Sequence, residues 1–277
     1  MGLFDRFKPK KKPSPQPEVP FQPGANTSLL CFFDRDDLTP EELAAAVTGR
    51  FGAGTAGEID RSHPELRHLT LTLDGREVLC SLVPAPYPGL DLSRAVEYSL
   101  FVGDAEQQSL IGHRAFCLLT EIGGGSTLAG KREVCLTLTR LCGALMELPG
   151  AAGVWVMGAD LLLGPAAYQN YAVLTEEHRQ NPEFFAPVLW VRVNGYEDED
   201  GAGRIYTQGL RDFGFPELEF YKPTQDWAHS YEKLYLMSLL QITGKEVYRN
   251  MDTIAFAPGQ LSVFKQDGEK LVVIGGI

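Results

Sequence analysis

The 277-residue chain is 44% hydrophobic and has a net charge of −11, which is enough apolar material for one large core or two ordinary domains. No run approaches the roughly 18 to 20 consecutive apolar residues of a membrane-spanning helix, and the N-terminus lacks the apolar core of a signal peptide. We therefore expect a soluble, cytoplasmic protein. The five cysteines form no CxxC pair, which is typical of buried thiols in a reducing compartment.

Charge is distributed unevenly along the chain. The first twelve residues contain five basic side chains and one acid, so the rest of the chain has a net charge of −15. Such an acidic surface repels phosphate backbones, and no basic stripe with interleaved aromatic residues follows residue 12. We expect no nucleic-acid partner.

Residues 1–26 are predicted to be a disordered, basic and proline-rich tail, because prolines prevent a helix from propagating. Leu3, Phe4 and Phe7 accompany the lysines, and apolar side chains beside lysines favour membrane surfaces. A peptide this short buries little apolar area, so we expect at most a weak membrane-surface contact through residues 1–12. The alternative is a solubilising tail without that contact.

Residues 27–125 begin with a strand and a clear helix start. Ser28–Phe33 is a continuous apolar run that predicts a buried strand. Thr39 is placed to cap the following helix, Pro40 is at its first position, and Glu42 completes a capping box. The helix is expected to end near residue 50.

The remaining elements of this region complete the order β, α, β, β, α, β. They are strands over 66–73 and 77–83 joined by an Asp74-Gly75 turn, a helical region over about 92–111, and a strand over 115–122. This order predicts a ferredoxin-like half, in which two helices cover one face of a four-stranded antiparallel sheet.

Residues 126–150 are predicted to contain a connecting helix, over about 131–148. Residues 151–277 then repeat the first order with extra strands. The predicted elements are a strand over 153–157, a helix over 165–177, strands over 186–194, 204–208 and 217–221, a helix over 226–243, and a hairpin over 261–274. We thus predict an α+β fold of two ferredoxin-like (βαββαβ) halves with antiparallel sheets, joined by a helix.

The segment from Pro187 to Tyr221 is the most distinctive part of the chain, with a strand, an acidic turn and two further strands. Its central run LWVRVNGYEDEDGAGRIYTQGLRDFGFPELEF resembles an uncharacterised bacterial family catalogued as domain of unknown function 4261. The upstream run GVWVMGADLLLGPAAYQNY resembles the same family less closely. The resemblance implies a bacterial cytoplasmic protein, and it supplies neither an activity nor catalytic residues.

The same segment provides the candidate binding residues. Glu217 and Glu219 are separated by one residue, so they share one face of their strand. Tyr206, Gln208 and Arg211 lie in the preceding strand and turn. If these side chains converge, they form a polar pocket with a general acid or an anion clamp. The alternative is a solvent-facing strand surface.

Two weaker patterns suggest ligand sites. Gly125–Lys131 (GSTLAGK) matches GxxxxGK, but Arg132 follows where a magnesium-ligating hydroxyl is required, so a glycine-rich linker is the better interpretation. Glu197–Asp200 supplies four consecutive carboxylates that suit calcium, but their spacing differs from that of a calcium loop. We expect a solvated turn, and we predict neither a metal nor a cofactor.

The sequence contains no complete catalytic signature. Its five histidines occur singly, and no serine or cysteine lies in the glycine-flanked turn that a nucleophile requires. We therefore expect a non-enzymatic module that binds a protein or a small ligand. The alternative is an enzyme that uses Glu217 and Glu219 in a polar pocket between the two halves.

Overall fold

The computed structural model describes residues 27–55, 57–61, 67–123, 125–181, 183–223, 227–257 and 260–275. In chain order the strands are β1 (Ser28–Phe33), β2 (Glu58–Ile59), β3 (His68–Leu73), β4 (Arg76–Val83), β5 (Ala115–Ile122), β6 (Ala151–Val156), β7 (Leu161–Leu163), β8 (Arg192–Glu197), β9 (Gly203–Gln208), β10 (Glu217–Tyr221), β11 (Thr253–Ala257), β12 (Gln260–Asp267) and β13 (Lys270–Gly275). The α-helices are α1 (Pro40–Phe51), α2 (Leu92–Glu97), α3 (Asp104–Ile111), α4 (Leu128–Leu145), α5 (Pro165–Glu177) and α6 (Trp227–Ile242). Over these ranges, no helix combines the length and hydropathy needed to cross a membrane.

The first sheet has seven strands in the order β2-β3-β4-β5-β1-β6-β7, and each neighbouring pair is antiparallel. Its central strand β1 is apolar on both faces. Leu29, Cys31 and Phe33 pack toward α1, α4 and α5, whereas Leu30 and Phe32 pack toward α2 and α3. All five side chains are at most 1% exposed. Helices therefore cover both faces of this sheet.

The second sheet has six strands in the order β11-β12-β13-β10-β9-β8. Its pairs are antiparallel except β10 and β13, which run parallel with Glu217 opposite Lys270. The apolar face carries Leu218 and Phe220 and belongs to the same buried cluster as α6 and the first sheet. One continuous core thus joins the two sheets.

Local sequence signals for α1 and the β3–β4 hairpin are confirmed. The Thr39 side chain accepts a hydrogen bond from Glu42 N at 3.2 Å, and Glu42 Oε2 accepts one from Thr39 N at 2.9 Å. Asp74 and Gly75 have φ angles of 54° and 76°, which suit a two-residue hairpin turn. The α+β class and the predominantly antiparallel pairing also agree with the prediction.

The arrangement of the first sheet differs from two ferredoxin-like halves. Residues 27–125 contribute five strands in the order β2-β3-β4-β5-β1. Helix α1 lies on the opposite face from α2 and α3 instead of sharing one face with a second helix. The physical reason is the continuous apolar run of β1, because a strand that is apolar on both faces requires cover on both sides.

The expected boundary at residue 151 also differs from the structure. Residues 151–163 form β6 and β7, and β6 pairs with β1 to extend the first sheet. Helix α4, expected over 131–148 as a connector, packs on β1, β4 and β5 and contacts α1 and α5. The helical region expected over 92–111 is two helices separated by residues 98–103.

The five cysteines are buried free thiols, as the sequence predicted. The Sγ atoms of Cys31 and Cys142 are 3.3 Å apart between β1 and α4. Burial raises the pKa of the Cys31 thiol, with a further contribution from Cys142. The thiols therefore serve as small core side chains.

Candidate ligand-binding cleft

A cleft of about 570 Å³ lies between the two sheets. We call it the inter-sheet cleft. One wall comes from β8, β9 and the start of α6, and the other comes from α2, the segment after it, β6 and β7. The aromatic and ionisable lining residues are Asp91, Arg94, Tyr98, Phe101, Trp155, Asp160, Arg192, Tyr196, Tyr206 and Tyr231. Strands β7 and β8 are the terminal strands of their sheets, so the cleft lies where two sheet edges meet.

Strand alternation directs the polar face of β8 and β9 into the cleft. Arg192, Asn194 and Tyr196 alternate along β8, and Arg192 and Asn194 pair with Gln208 and Tyr206 of β9. The rings of Tyr196 and Tyr206 pack edge to face with centroids 5.8 Å apart. These residues form an aromatic surface with amide groups beside it.

Asp160 fixes two side chains of the cleft wall. Its backbone is left-handed, with a φ of 49°, a conformation that aspartate tolerates better than most residues. Its carboxylate accepts hydrogen bonds from Trp155 Nε1 and Arg192 Nη1, both at 3.2 Å. Its carbonyl oxygen accepts a second bond from Arg192 Nη1 at 2.8 Å. The charges of Asp160 and Arg192 therefore offset each other.

Three large side chains with extensive apolar surface are exposed at the rim of the cleft. The exposed fractions are 64% for Tyr98, 76% for Leu100 and 43% for Tyr196. Exposed apolar surface beside a concave site is typical of a surface that contacts another polypeptide. The rim therefore extends the apolar lining outward from the cleft.

The rim segment 98–103 is attached to the edge of the first sheet. Ser99 Oγ donates a hydrogen bond to the Leu162 carbonyl at 2.8 Å, and Gly164 N donates one to the Phe101 carbonyl at 2.9 Å. These bonds satisfy part of the outer edge of β7. The interruption between α2 and α3 thus builds one side of the cleft.

A buried histidine supports the aromatic wall. The Tyr87 ring lies 5.8 Å from Trp155, and Tyr87 N donates a hydrogen bond to His113 Nε2 at 2.7 Å. His113 Nδ1 therefore carries the proton and donates to the Leu110 carbonyl at 3.0 Å. Burial lowers the pKa of His113 and favours this neutral form.

The five predicted site residues do not form one pocket. Tyr206 and Gln208 line the inter-sheet cleft, but Glu217, Glu219 and Arg211 do not. The Arg211 side chain is half-exposed and forms an ion pair with Glu269. The side chains of β9 and β10 among them lie on one face of the second sheet, and Arg211 lies in the turn between these two strands. This face extends beyond the inter-sheet cleft.

Glu217 is buried against the turn that precedes its strand. Its carboxylate accepts hydrogen bonds from Thr207 Oγ1 and Gly209 N, both at 2.8 Å. It also accepts bonds from the backbone N–H groups of Leu210 and Arg211, both at 3.3 Å. Four donors therefore hold this carboxylate, which stabilises the start of the 3₁₀ turn at Leu210–Phe213.

Glu219 is buried between two basic side chains. Its carboxylate accepts hydrogen bonds from Arg204 Nη1 at 2.5 Å and Lys270 Nζ at 2.7 Å. The bond to Glu219 is the main reason that the pKa of Arg204 is raised above its usual value. Glu219 therefore links three strands of the second sheet. The alternative prediction, a strand surface that faces solvent, is also wrong for both glutamates, because both are buried.

The GxxxxGK segment serves the packing of α4. Gly130 N donates a hydrogen bond to Thr127 Oγ1 at 3.0 Å, which caps the helix. Gly125 lies so close to the helix that an added Cβ would be 2.2 Å from Lys131 N. Lys131 is 2% exposed, and its charge opposes the rise in pKa that burial causes at Asp212. The lysine lies in the interior of the fold.

The acidic turn has one structural carboxylate. Asp198 accepts hydrogen bonds from Ala202 N at 2.8 Å, Asp200 N at 3.2 Å and Arg204 Nε at 3.1 Å. The backbone bond from Ala202 is the largest cause of the lowered pKa of Asp198. The prediction that the carboxylates of this turn are solvated is therefore wrong for Asp198.

The described residues contain no group of three or more histidine, cysteine, aspartate or glutamate side chains arranged to hold a metal ion.

Most residues that line the cleft were not among the predicted site residues. Asp160 and Trp155 lie in the run GVWVMGADLLLGPAAYQNY, where an aspartate directly follows a strand and a short turn. That position was the available signal for a side chain at a sheet edge. For Tyr98 and Leu100, the available signal was the presence of two large residues just before Gly103, the N-cap residue of α3.

No protein-family model, curated protein or solved structure matches this chain.

Proposed function

We propose that this protein is a non-enzymatic module that binds a proline-rich segment of a partner protein in the inter-sheet cleft. The observation that carries the proposal is the exposed rim of Tyr98, Leu100 and Tyr196 around an aromatic lining. Proline-rich segments adopt a preformed polyproline II helix and dock on aromatic-lined grooves. A cleft whose apolar surface continues onto its rim suits such an extended ligand.

The polar groups of the cleft match the needs of a polyproline backbone. A polyproline II helix has no internal hydrogen bonds, so its carbonyl oxygens accept bonds from a binding surface. The hydroxyls of Tyr206 and Tyr231 and the amides of Asn194 and Gln208 supply donors beside apolar rings. Tyrosine provides both functions at a low cost in conformational entropy.

The contacts of the acidic side chains support binding over catalysis. Asp160 is held by Trp155 and Arg192, and Asp91 accepts a hydrogen bond from Arg94 N at 3.2 Å as the cap of α2. The alternative function, an enzyme, would use Glu217 and Glu219. Their carboxylates already accept hydrogen bonds from groups of the protein itself. A general acid requires a carboxyl group that reaches a bound substrate.

The compartment and family are part of the same proposal. The buried thiols are compatible with a reducing cytoplasm. The likeness of residues 189–220 to the uncharacterised bacterial family supports a bacterial origin.

Fluorine NMR of the full chain labelled with 5-fluorotryptophan tests the proposal. The chain has three tryptophans, of which Trp155 lines the cleft and Trp190 is buried with its Nε1 bonded to Thr139 Oγ1 at 3.1 Å. Decaproline is expected to shift the Trp155 signal, with saturation at about millimolar concentration, and to leave the Trp190 signal in place. Tyr206→Ala is expected to weaken this binding.

A serine–glycine peptide of equal length is the matched control, because it lacks the proline rings and the preformed helix. It is expected to leave the Trp155 signal unchanged. An unchanged Trp155 signal with decaproline, or equal shifts with the two peptides, would contradict the proposed function.

A further inference from the structure

We infer that the segment bound in the inter-sheet cleft contains the pattern Pro-X-Pro, in which the central residue X is not proline and pairs with the backbone of Gly195. This inference rests on the proposed function, because it specifies the ligand of the same site. The contact is of the kind in which an extended peptide adds a strand to the edge of a sheet. It gives the ligand a sequence requirement beyond its proline content.

The hydrogen-bond pattern of β8 directs the backbone groups of Gly195 toward the edge of the second sheet. Strand β8 is a terminal strand and pairs with β9. Just beyond this pairing, Asp198 N donates a hydrogen bond to Ala202 O at 2.9 Å. Opposite residues of an antiparallel pair alternate between hydrogen-bonded and non-hydrogen-bonded positions, so the even-numbered residues of β8 bond to β9. The N–H and C=O groups of Gly195 therefore point away from β9.

These groups of Gly195 are accessible from the cleft. Gly195 lines the cleft and is partly exposed. Neither its N–H nor its C=O group has a hydrogen-bond partner in the part of the chain that the structure describes. Val193, which has the same orientation, has a partner in the Tyr235 side chain. Gly195 is thus the position on β8 at which the backbone of a ligand can pair.

The sheet edge on the other wall of the cleft is already covered. The Leu162 carbonyl of β7 accepts a hydrogen bond from Ser99 Oγ at 2.8 Å, and Gly164 N donates one to the Phe101 carbonyl at 2.9 Å. The rim segment 98–103 therefore occupies the place that an added strand would take beside β7. A ligand strand that enters the cleft is directed to β8.

Proline can flank residue X but cannot replace it. In an antiparallel pair, X accepts a hydrogen bond from Gly195 N and donates its own N–H to the Gly195 carbonyl. The residues on either side of X direct their nitrogen atoms away from β8, so the N–H that proline lacks is not needed there. A residue that precedes proline is also restricted to extended conformations. Proline after X therefore favours the conformation that pairs with Gly195.

The side chains around Gly195 fit the same pattern. A Cβ added to Gly195 would be 2.2 Å from Trp227 Cζ3, and the Trp227 side chain is 39% exposed. Opposite side chains of an antiparallel pair lie on the same face, so the side chain of X lies beside the Trp227 ring. The flanking prolines then lie on the face of Asn194 and Tyr196, where they contact the aromatic surface of the cleft.

The experiment uses the full chain labelled with 5-fluorotryptophan and a peptide with four prolines on each side of one alanine. In the matched control peptide, lactic acid replaces alanine, so an ester oxygen replaces the N–H and the methyl group is kept. We expect the alanine peptide to shift the Trp155 and Trp227 signals and to bind about fivefold more tightly than the ester, which cannot donate to the Gly195 carbonyl. The Trp227 signal is identified by its loss in Trp227→Phe.

Equal affinities of the two peptides would overturn the inference, and so would a Trp227 signal that stays in place while the Trp155 signal shifts. In both cases the peptide binds in the cleft without pairing with Gly195, and the proposed function stands. If neither these peptides nor decaproline shifts the Trp155 signal, the proposed function fails, and the inference that rests on it fails as well.

Discussion

Glu217 shows how a single buried carboxylate organises a turn. The first N–H groups of a helical turn have no acceptor within it, and Glu217 accepts from those of Gly209, Leu210 and Arg211. The turn places Phe213 in the core with no measurable exposure. A carboxylate is well suited to this role because both of its oxygens only accept hydrogen bonds.

Glu217→Gln is expected to lower the free energy of unfolding by about 2 to 4 kcal/mol, because an amide replaces one acceptor oxygen with a donor that faces backbone N–H groups. Urea denaturation measures the change. Glu269→Gln is the control, and it removes only an exposed partner of Arg211. That variant is expected to stay within about 0.5 kcal/mol of the native protein. Equal losses in the two variants would contradict the assigned role of Glu217.

The β8–β9 hairpin combines structural and ligand-facing roles in one element. Asp198 closes its turn through two backbone N–H groups, and Arg204 links the turn to Glu219 of the neighbouring strand. The same two strands present Tyr196 and Tyr206 to the cleft. The position of those rings therefore depends on the closure of the turn.

Asp198→Ala is expected to lower the melting temperature, whereas Glu197→Ser/Glu199→Ser/Asp200→Ser is expected to leave it within experimental error. Asp198 accepts the backbone bonds of the turn, while exposed charges contribute little to stability. Thermal unfolding followed by circular dichroism compares the two variants. If the triple variant unfolds first, the assignment of Asp198 as the structural carboxylate is wrong.

Elements with strong local signals were predictable from the sequence, and their arrangement was not. Proline at the first helical position and a capping box identified α1, and Asp74-Gly75 identified the hairpin. Strand order depends on pairing between distant segments, which the element order alone leaves open. Tyr206 and Gln208 line the inter-sheet cleft, whereas the burial of Glu217 depends on the turn that folds over it.

At the scale of the whole molecule, stability depends on pH through a histidine that is buried in its neutral form. His113 accepts from Tyr87 N and donates to Leu110 O, so a second ring proton would remove the first of these bonds. The folded-state pKa of His113 is lowered, whereas the unfolded value is about 6.5. The unfolded state therefore binds more protons as the pH falls below that value, and the stability contribution is lost.

We expect the free energy of unfolding to fall between about pH 7 and pH 5, and we expect His113→Gln to show a smaller fall. Glutamine can accept from Tyr87 N without titrating in this range. Urea denaturation at both pH values gives the difference, and the exposed His178→Gln variant is the control. An identical pH dependence in the native protein and His113→Gln would refute this role.

The position of β1 has a consequence for synthesis on the ribosome. This strand leaves the ribosome before the other described strands, yet it lies between β5 and β6 in its sheet. In a nascent chain that ends before residue 151, the edge of β1 that pairs with β6 therefore has no partner strand. This unpaired strand is apolar on both faces. The first sheet is completed only after residue 163 has emerged, so an interval of synthesis exists in which a chaperone that recognises apolar strand edges has a defined target.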